Sequence, residues 1–437
     1  MAELTVAGRT VHLGSGRLGM GSLALVLSAL LAITAGLVMW GRPDASFSAG
    51  DGLLRSYQHE PSTAWAIDDA DLPGYSGSGA ITVDDHAGDD WLLAYPSGLG
   101  RSIVLVDGSS GRRQWSAPVR VGLGDCAINA DHQIGCAIKL GDVDDGFYRA
   151  DHGTGELERV GDLDDTARVT AVGRNFLRVN QTGYQAGLRT LEGREIWSRV
   201  FAAAVTPSYR HGTLTAETAD GSGFVLDPKT GDDITACTDC RVRVYPGGVL
   251  LDRTALDDRS VSVHPRRGST VASRPVRSVA GLTVLNQPST LPVLTATGSS
   301  AFLSTSGHFE IIDPATGDLL WQIADDSLSK ANSRPCGDTI ALARLDRSRV
   351  FFDLADGTRL GELPPPAVDQ PDRDLDKLDC VGSAGHVVVY GSGSQLTAYD
   401  ADAGKTAWML PINGTAGIVD GYLVLTQGTS LSVLRPN

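Results

Sequence analysis

Asp313-Pro-Ala-Thr-Gly317-Asp-Leu-Leu-Trp321 is the stretch on which the fold turns: an acid, three linker residues, a glycine, and a tryptophan four positions later. The phrase returns as Asp107-Gly-Ser-Ser-Gly111 before Trp115 and as Asp400-Ala-Asp-Ala-Gly404 before Trp408. Asp151 with Gly155, Asp227 with Gly231 and Asp353 with Gly357 keep the acid and the glycine without the tryptophan. Gly193, with Trp197, and Gly268 mark two degenerate copies. Short apolar or alternating runs precede nearly every copy, among them Ile103-Val-Leu-Val106, Phe224-Val-Leu226 and Leu396-Thr-Ala-Tyr399. Glycine reaches positive φ without steric cost and an aspartate hydrogen-bonds nearby amides, so each copy spells a strand, a tight turn and a second strand.

The glycines fall at 111, 155, 193, 231, 268, 317, 357 and 404, a pitch of roughly 40 residues, which is the length of one four-stranded propeller blade. The spacing predicts an all-β protein, a β-propeller of four-stranded antiparallel blades. Trp65, Trp115, Trp197, Trp321 and Trp408 are then blade-packing residues, because a large aromatic repeated once per unit fills the gap between neighbouring blades before it does anything else. In the first blade the strands are expected at residues 80–83, 91–95, 103–106 and 114–119. The last segment offers inner strands at 422–425 and 431–434 but no outer one, and residues 64–67 complete it, a closure that leaves no exposed sheet edge. Eight internal turns plus this closing unit count up to nine blades. Residues 274–292 and the Pro-rich, acidic stretch 364–379 look like insertions.

This repeat resembles the PQQ-like propeller repeat of quinoprotein dehydrogenases and of BamB-type outer-membrane assembly lipoproteins, over most of residues 61–437. The resemblance implies eight blades, which is the number expected here, with seven and nine as the neighbouring counts. Its enzymes carry Ca²⁺, a ligand set for the quinone and an aspartate base, and the alcohol-oxidising ones an adjacent cysteine pair. No convincing set of that kind is present, and the chain is shorter than those enzymes. Accordingly no catalytic, cofactor-binding or metal-binding residue is assigned, no cofactor is expected, and the protein is read as a non-enzyme, since the fold alone does not supply chemistry. Asp372, Asp374, Asp376 and Asp379, and separately Asp142, Asp144 and Asp145, are acidic loops without the terminal glutamate of a calcium-binding loop. The nine histidines show no paired metal-ligand spacing.

Residues 18–40 are 23 consecutive residues without a charge, enough to span a bilayer as one helix. Arg9 and Arg17 lie before it, while Arg42 after it is followed by Asp44 and Asp51, a positive-inside bias that favours a cytoplasmic N-terminus. The expected layout is therefore a cytoplasmic tail over 1–17, a transmembrane helix over 18–40, a tether over 41–60 and the propeller over 61–437, outside the cell membrane. Six cysteines suit that oxidising side. Cys126 and Cys136 bracket a hairpin, Cys336 and Cys380 stand near the starts of blades and suit a bridge between neighbours, and Cys237 and Cys240, as Cys-Thr-Asp-Cys, are read as structural rather than redox-active, since no helix N-terminus accompanies them. Ala24, Ser28, Ala32 and Gly36 recur every fourth residue, a stripe that lets a partner helix approach. A net charge of −15 with five lysines provides no basic stripe, so nucleic acid is excluded as a partner. The Arg-, Ala-, Gly- and Asp-rich composition fits a GC-rich, actinobacterial source, and the layout is similar to single-helix propeller proteins of that group.

These features give a membrane-anchored, extracytoplasmic propeller that binds or scaffolds envelope or membrane proteins, or a lipid, in envelope biogenesis or transport. A sensor or binding protein for a small ligand in the channel, and a PQQ-dependent oxidoreductase, are the two alternatives.

Overall fold

The computed structural model describes residues 3–6, 9–12, 49–161, 164–255, 259–296, 309–323, 325, 327–366 and 375–437. The chain forms two compact units, residues 1–46 and 47–437. In the first, Glu3–Val6 pairs antiparallel with Arg9–His12. Residues 18–40 and the stripe Ala24, Ser28, Ala32 and Gly36 lie outside the described residues, among which no helix is long and apolar enough to cross a membrane.

The second unit is an all-β propeller whose described residues form nine antiparallel sheets. Blade 1 runs outward through Thr82–Ala87, Asp90–Ser97, Gly100–Asp107 and Val119–Gly122. The first strands of the next seven blades are Asp125–Ile128, Thr166–Val172, Val205–Arg210, Cys240–Tyr245, Leu282–Val284, Leu328–Cys336 and Asp379–Ala384. Blade 9 closes the ring as expected: Thr415–Val419, Tyr422–Gln427 and Ser430–Arg435 come from the C-terminus, and Ser62–Ile67 adds the outer strand with Trp65 opposite Val433.

Nine blades replace the eight taken from the resemblance. The closing unit is a full blade in addition to the eight units that carry an internal turn, and the degenerate copy at Gly268 belongs to a complete one, in which Thr270–Val271 and Arg277–Ala280 both pair with Ser260–Arg267. Residues 277–280 and 282–284 are therefore an outer strand and the next inner strand, so the stretch 274–292 is not an insertion. Within 364–379, Leu375–Lys377 is a single 3-10 turn with Leu375 buried; Asp372 and Asp374 lie outside the described residues.

The core is divided among the blade interfaces, with Trp91, Leu92, Ile103, Leu105 and Val121 buried between blade 1 and its neighbours. That is why the ring lengthens without enlarging any single core.

Candidate functional site

Each repeat phrase joins two blades. The aspartate caps its own turn: Asp107 Oδ1 accepts from the N–H groups of Ser109 and Ser110, Asp151 Oδ1 from those of Gly153 and Thr154. Gly111, Gly155, Gly231 and Gly357 all have φ between 70° and 79°. Their second reason for being glycine comes from the preceding blade, because a Cβ would lie 2.6–2.8 Å from the rings of Trp65, Trp115, Trp197 and Trp321 respectively. Each tryptophan also donates Nε1–H to the carbonyl of the residue following the aspartate: Trp65 to Gly108, Trp115 to His152, Trp197 to Pro228 and Trp321 to Leu354, at 2.8–3.1 Å. Blade 7 has Gly361 in place of the tryptophan, and its own N–H reaches Ala401 O at 2.6 Å. The five tryptophans differ in burial: Trp115 is 1% exposed, whereas Trp321 is only partly buried between Phe309 and Phe352.

All six cysteines are paired. Cys126 and Cys136 face each other across the first two strands of blade 2, Cys237 and Cys240 staple the outer strand of blade 4 to the inner strand of blade 5, and Cys336 and Cys380 tie the inner strands of blades 7 and 8.

Trp408 breaks the tryptophan rule in an informative way. The outer strand of blade 9, Ser62–Ile67, comes from ahead of blade 1, so no turn joins it to the third strand, and Trp408 Nε1 donates instead to Tyr57 O at 2.8 Å. Tyr57 belongs to the segment read as a tether, which from residue 49 onward is packed against the propeller. Asp51, buried, meets His211 Nε2 at 3.0 Å and Arg210 at 3.6 Å on blade 4. Gly52 lies against Pro288 and Gly337, Leu53 bridges Ser383 of blade 8, and Arg55 pairs with Asp420 of blade 9 at 2.6 Å. A segment that touches the inner-strand ends of blades 4, 7, 8 and 9 crosses the axis, so residues 49–55 fill one end of the channel.

Acids that the sequence reading passed over tie the first or second strand of one blade to the inner strand of the next. Asp85, Asp125, Glu217 and Asp252 each accept from an inner-strand N–H of the following blade, at Ile128, Val169, Val242 and Val284, over 2.7–3.3 Å. Burial pushes the Asp125 carboxyl up to about 7 against the pull of the Val169 amide and Arg101. Asp125 lines a cavity of about 630 Å³ with Tyr95, Pro96, Arg101, Leu123 and Arg168. Since the unfolded chain releases this proton near the ordinary value of 3.8 and the folded one holds it to about 7, the carboxyl's contribution is full at low pH, declines as pH rises between those values and stays lost above them. Asp125→Asn keeps the acceptor for Val169, so its stability relative to the natural protein should rise from pH 4 to pH 8. Denaturant midpoints of both proteins across that range check this; a constant difference would refute it.

Elsewhere, His132 Nδ1 and His152 Nε2 meet the same oxygen of Asp90 at 2.7 and 3.0 Å, joining blades 1 and 2. Burial pushes the Asp90 carboxyl up, and the hydrogen bonds from His152, His132 and Gln114 outweigh it and hold it below its usual range. Twenty residues separate these histidines, which is why no ligand-like spacing showed. Among the described residues, no group of three or more His, Cys, Asp and Glu is arranged to hold a metal ion.

The two ends of the ring differ. Loops joining second to third strands, and connections between blades, lie on the face away from the Asp-x-x-x-Gly turns and from Gly337 and Asp420. Leu99, Leu140, Val143, Tyr184 and Leu345 are on such loops, Leu123 on the connection between blades 1 and 2, and Val200 at the end of blade 3. Among the described residues, seven of the eleven exposed large apolar residues thus share one face, and Leu99 is fully exposed. The loops of blades 1 and 2 are locked together there, with Leu123 N donating to Lys139 O at 2.8 Å and Gly122 too close to the Leu140 backbone for a side chain.

No family model and no curated protein matches the chain. Solved structures similar to it include BamB from Moraxella catarrhalis, 16% identical over 86% of this chain and all of that one, with a TM-score of 0.42. The computationally designed protein Ika8 is 12% identical over 83% of this chain and 97% of its own, TM-score 0.39. Quinohemoprotein alcohol dehydrogenase ADHIIG from Pseudomonas putida HK5 is 12% identical over 89% of this chain and 80% of its own, TM-score 0.40. Likenesses this distant carry no argument about function, and the propeller assignment rests on the nine sheets themselves.

Proposed function

We propose that the protein is a membrane-anchored, extracytoplasmic propeller that acts without catalysis as a binding scaffold for envelope or membrane components. The observation that carries this reading is the apolar crown: exposed leucine, valine and tyrosine side chains on adjacent loops of blades 1–3 are costly in water and mark a surface for a partner. Three disulfides support an oxidising compartment, and residues 18–40 supply the anchor. Rigid blades hold the crown loops in fixed register, which lets a partner bind without ordering them first.

The test is capture of membrane components by the full-length protein beside a variant carrying Leu99→Asp, Leu140→Asp and Tyr184→Asp. Proteins or lipids retained by the natural crown are expected to fall at least tenfold on the variant, with the fold intact by circular dichroism. Equal retention by both would remove the crown, and with it this reading.

A further inference from the structure

Between the inner strands of blades 4, 5 and 6, walled on one side by Gly50, lies a separate cavity of about 560 Å³, within the size range of small-molecule sites. Two polar groups in it are unspent. Arg243 makes no hydrogen bond or ion pair among the described residues, and its Nε–H is buried without an acceptor; Gln287 Oε1 is buried without a donor. Nearby carboxylates are engaged, Glu217 with the Val242 amide and Asp252 with Thr283 and Val284. A buried donor and a buried acceptor left open together cost the fold free energy that a bound molecule with both functions returns.

Charge decides the class of that molecule. Arg243 and Arg210 line the cavity as cations and Glu217 as an anion, while Arg210 faces Asp51 at 3.6 Å and Asp252 acts on Arg243 through its charge, so nearby carboxylates offset both cations and the site has no net attraction for a strong anion. A hydroxyl group is a donor and an acceptor at once, and neighbouring hydroxyls serve Arg243 Nε–H and Gln287 Oε1 simultaneously. Tyr245 and Leu285 supply apolar wall against which a ring face rests. We infer that this channel cavity is a binding site for a neutral polyhydroxylated ligand, a sugar or cyclic polyol, held by Arg243 and Gln287. The site is independent of the crown and lies at the inner strands, beside the segment that fills the channel end.

Calorimetric titration of the full-length protein with D-glucose, maltose and myo-inositol, and with glucose 6-phosphate as the charged arm, tests the inference. At least one neutral probe is expected to bind, and to bind at least tenfold more weakly to Arg243→Gln and to Gln287→Leu, as expected for loss of one or two buried hydrogen bonds. Gln287→Leu should also unfold no more easily than the natural protein, because it removes an unsatisfied buried acceptor; a purely structural role for Gln287 predicts the reverse. Leu345→Asp, on a blade 7 loop at the same face as the crown and away from the cavity, should leave sugar binding unchanged. No heat with any neutral probe, tighter binding of glucose 6-phosphate than of glucose, or binding indifferent to both variants would overturn the assignment.

Discussion

Trp115→Ala is expected to lower the unfolding free energy by about 3–5 kcal/mol, the usual cost of emptying a buried indole site. The ring is 1% exposed, lies over Gly155 and donates Nε1–H to His152 O at 2.9 Å, so the substitution opens a cavity and strips a hydrogen bond from the next blade's turn. Gly155→Ala attacks the same contact from the other side. Its Cβ would sit 2.8 Å from the ring, on a residue whose φ of 79° disfavours any side chain, and a loss of comparable sign should follow. Trp321→Ala provides the calibration: that ring is only partly buried, and roughly 1–3 kcal/mol is expected. Guanidinium unfolding of the three variants under non-reducing conditions measures the order. A Trp115 variant within about 1 kcal/mol of the natural protein would show that the indole does not join blades 1 and 2.

Tyr57→Ala should be comparably damaging, at about 3–5 kcal/mol, although Tyr57 lies before every repeat. Its side chain is fully buried. The hydroxyl donates to Leu434 O at 2.8 Å and accepts from Leu423 N at 2.9 Å, between two strands of the closing blade, and burial pushes its ionisation up to about 12. Tyr57→Phe isolates the polar part: it keeps the ring, leaves a backbone carbonyl and an amide unsatisfied, and should cost about 1–3 kcal/mol. Thermal unfolding followed by near-ultraviolet circular dichroism reads both. If Phe is as harmful as Ala the ring contributes nothing, and if neither lowers stability the segment 49–57 is dispensable for closure.

Several parts of this architecture were written locally. Alternating runs, the capped Asp-x-x-x-Gly turn and the pitch between glycines specify strands, hairpins and blades, because period-two patterning and turn chemistry act over a few residues. The missing outer strand after residue 434 pointed directly to residues 64–67, and a ten-residue hairpin spacing pointed to the Cys126–Cys136 bridge. The blade number was also present in the turns, eight plus the closing unit, whereas the resemblance implies eight.

What the sequence could not determine lies at contacts between segments remote along the chain. That Gly155 is a seat for Trp115, that Asp125 reaches the Val169 amide, that two histidines converge on Asp90 and that Tyr57 substitutes for a turn the last blade lacks are all pairings across 37 to 351 positions. No local periodicity encodes them; they exist because ring closure brings each blade's outer strand against the next blade's turn and draws residues 49–55 across the axis. The crown and the Arg243 cavity arise the same way. An exposed leucine in a loop is unremarkable in one dimension, and only the stacking of nine blades in one sense gathers seven apolar side chains of the described residues onto one face while leaving the buried Nε–H of Arg243 without an acceptor.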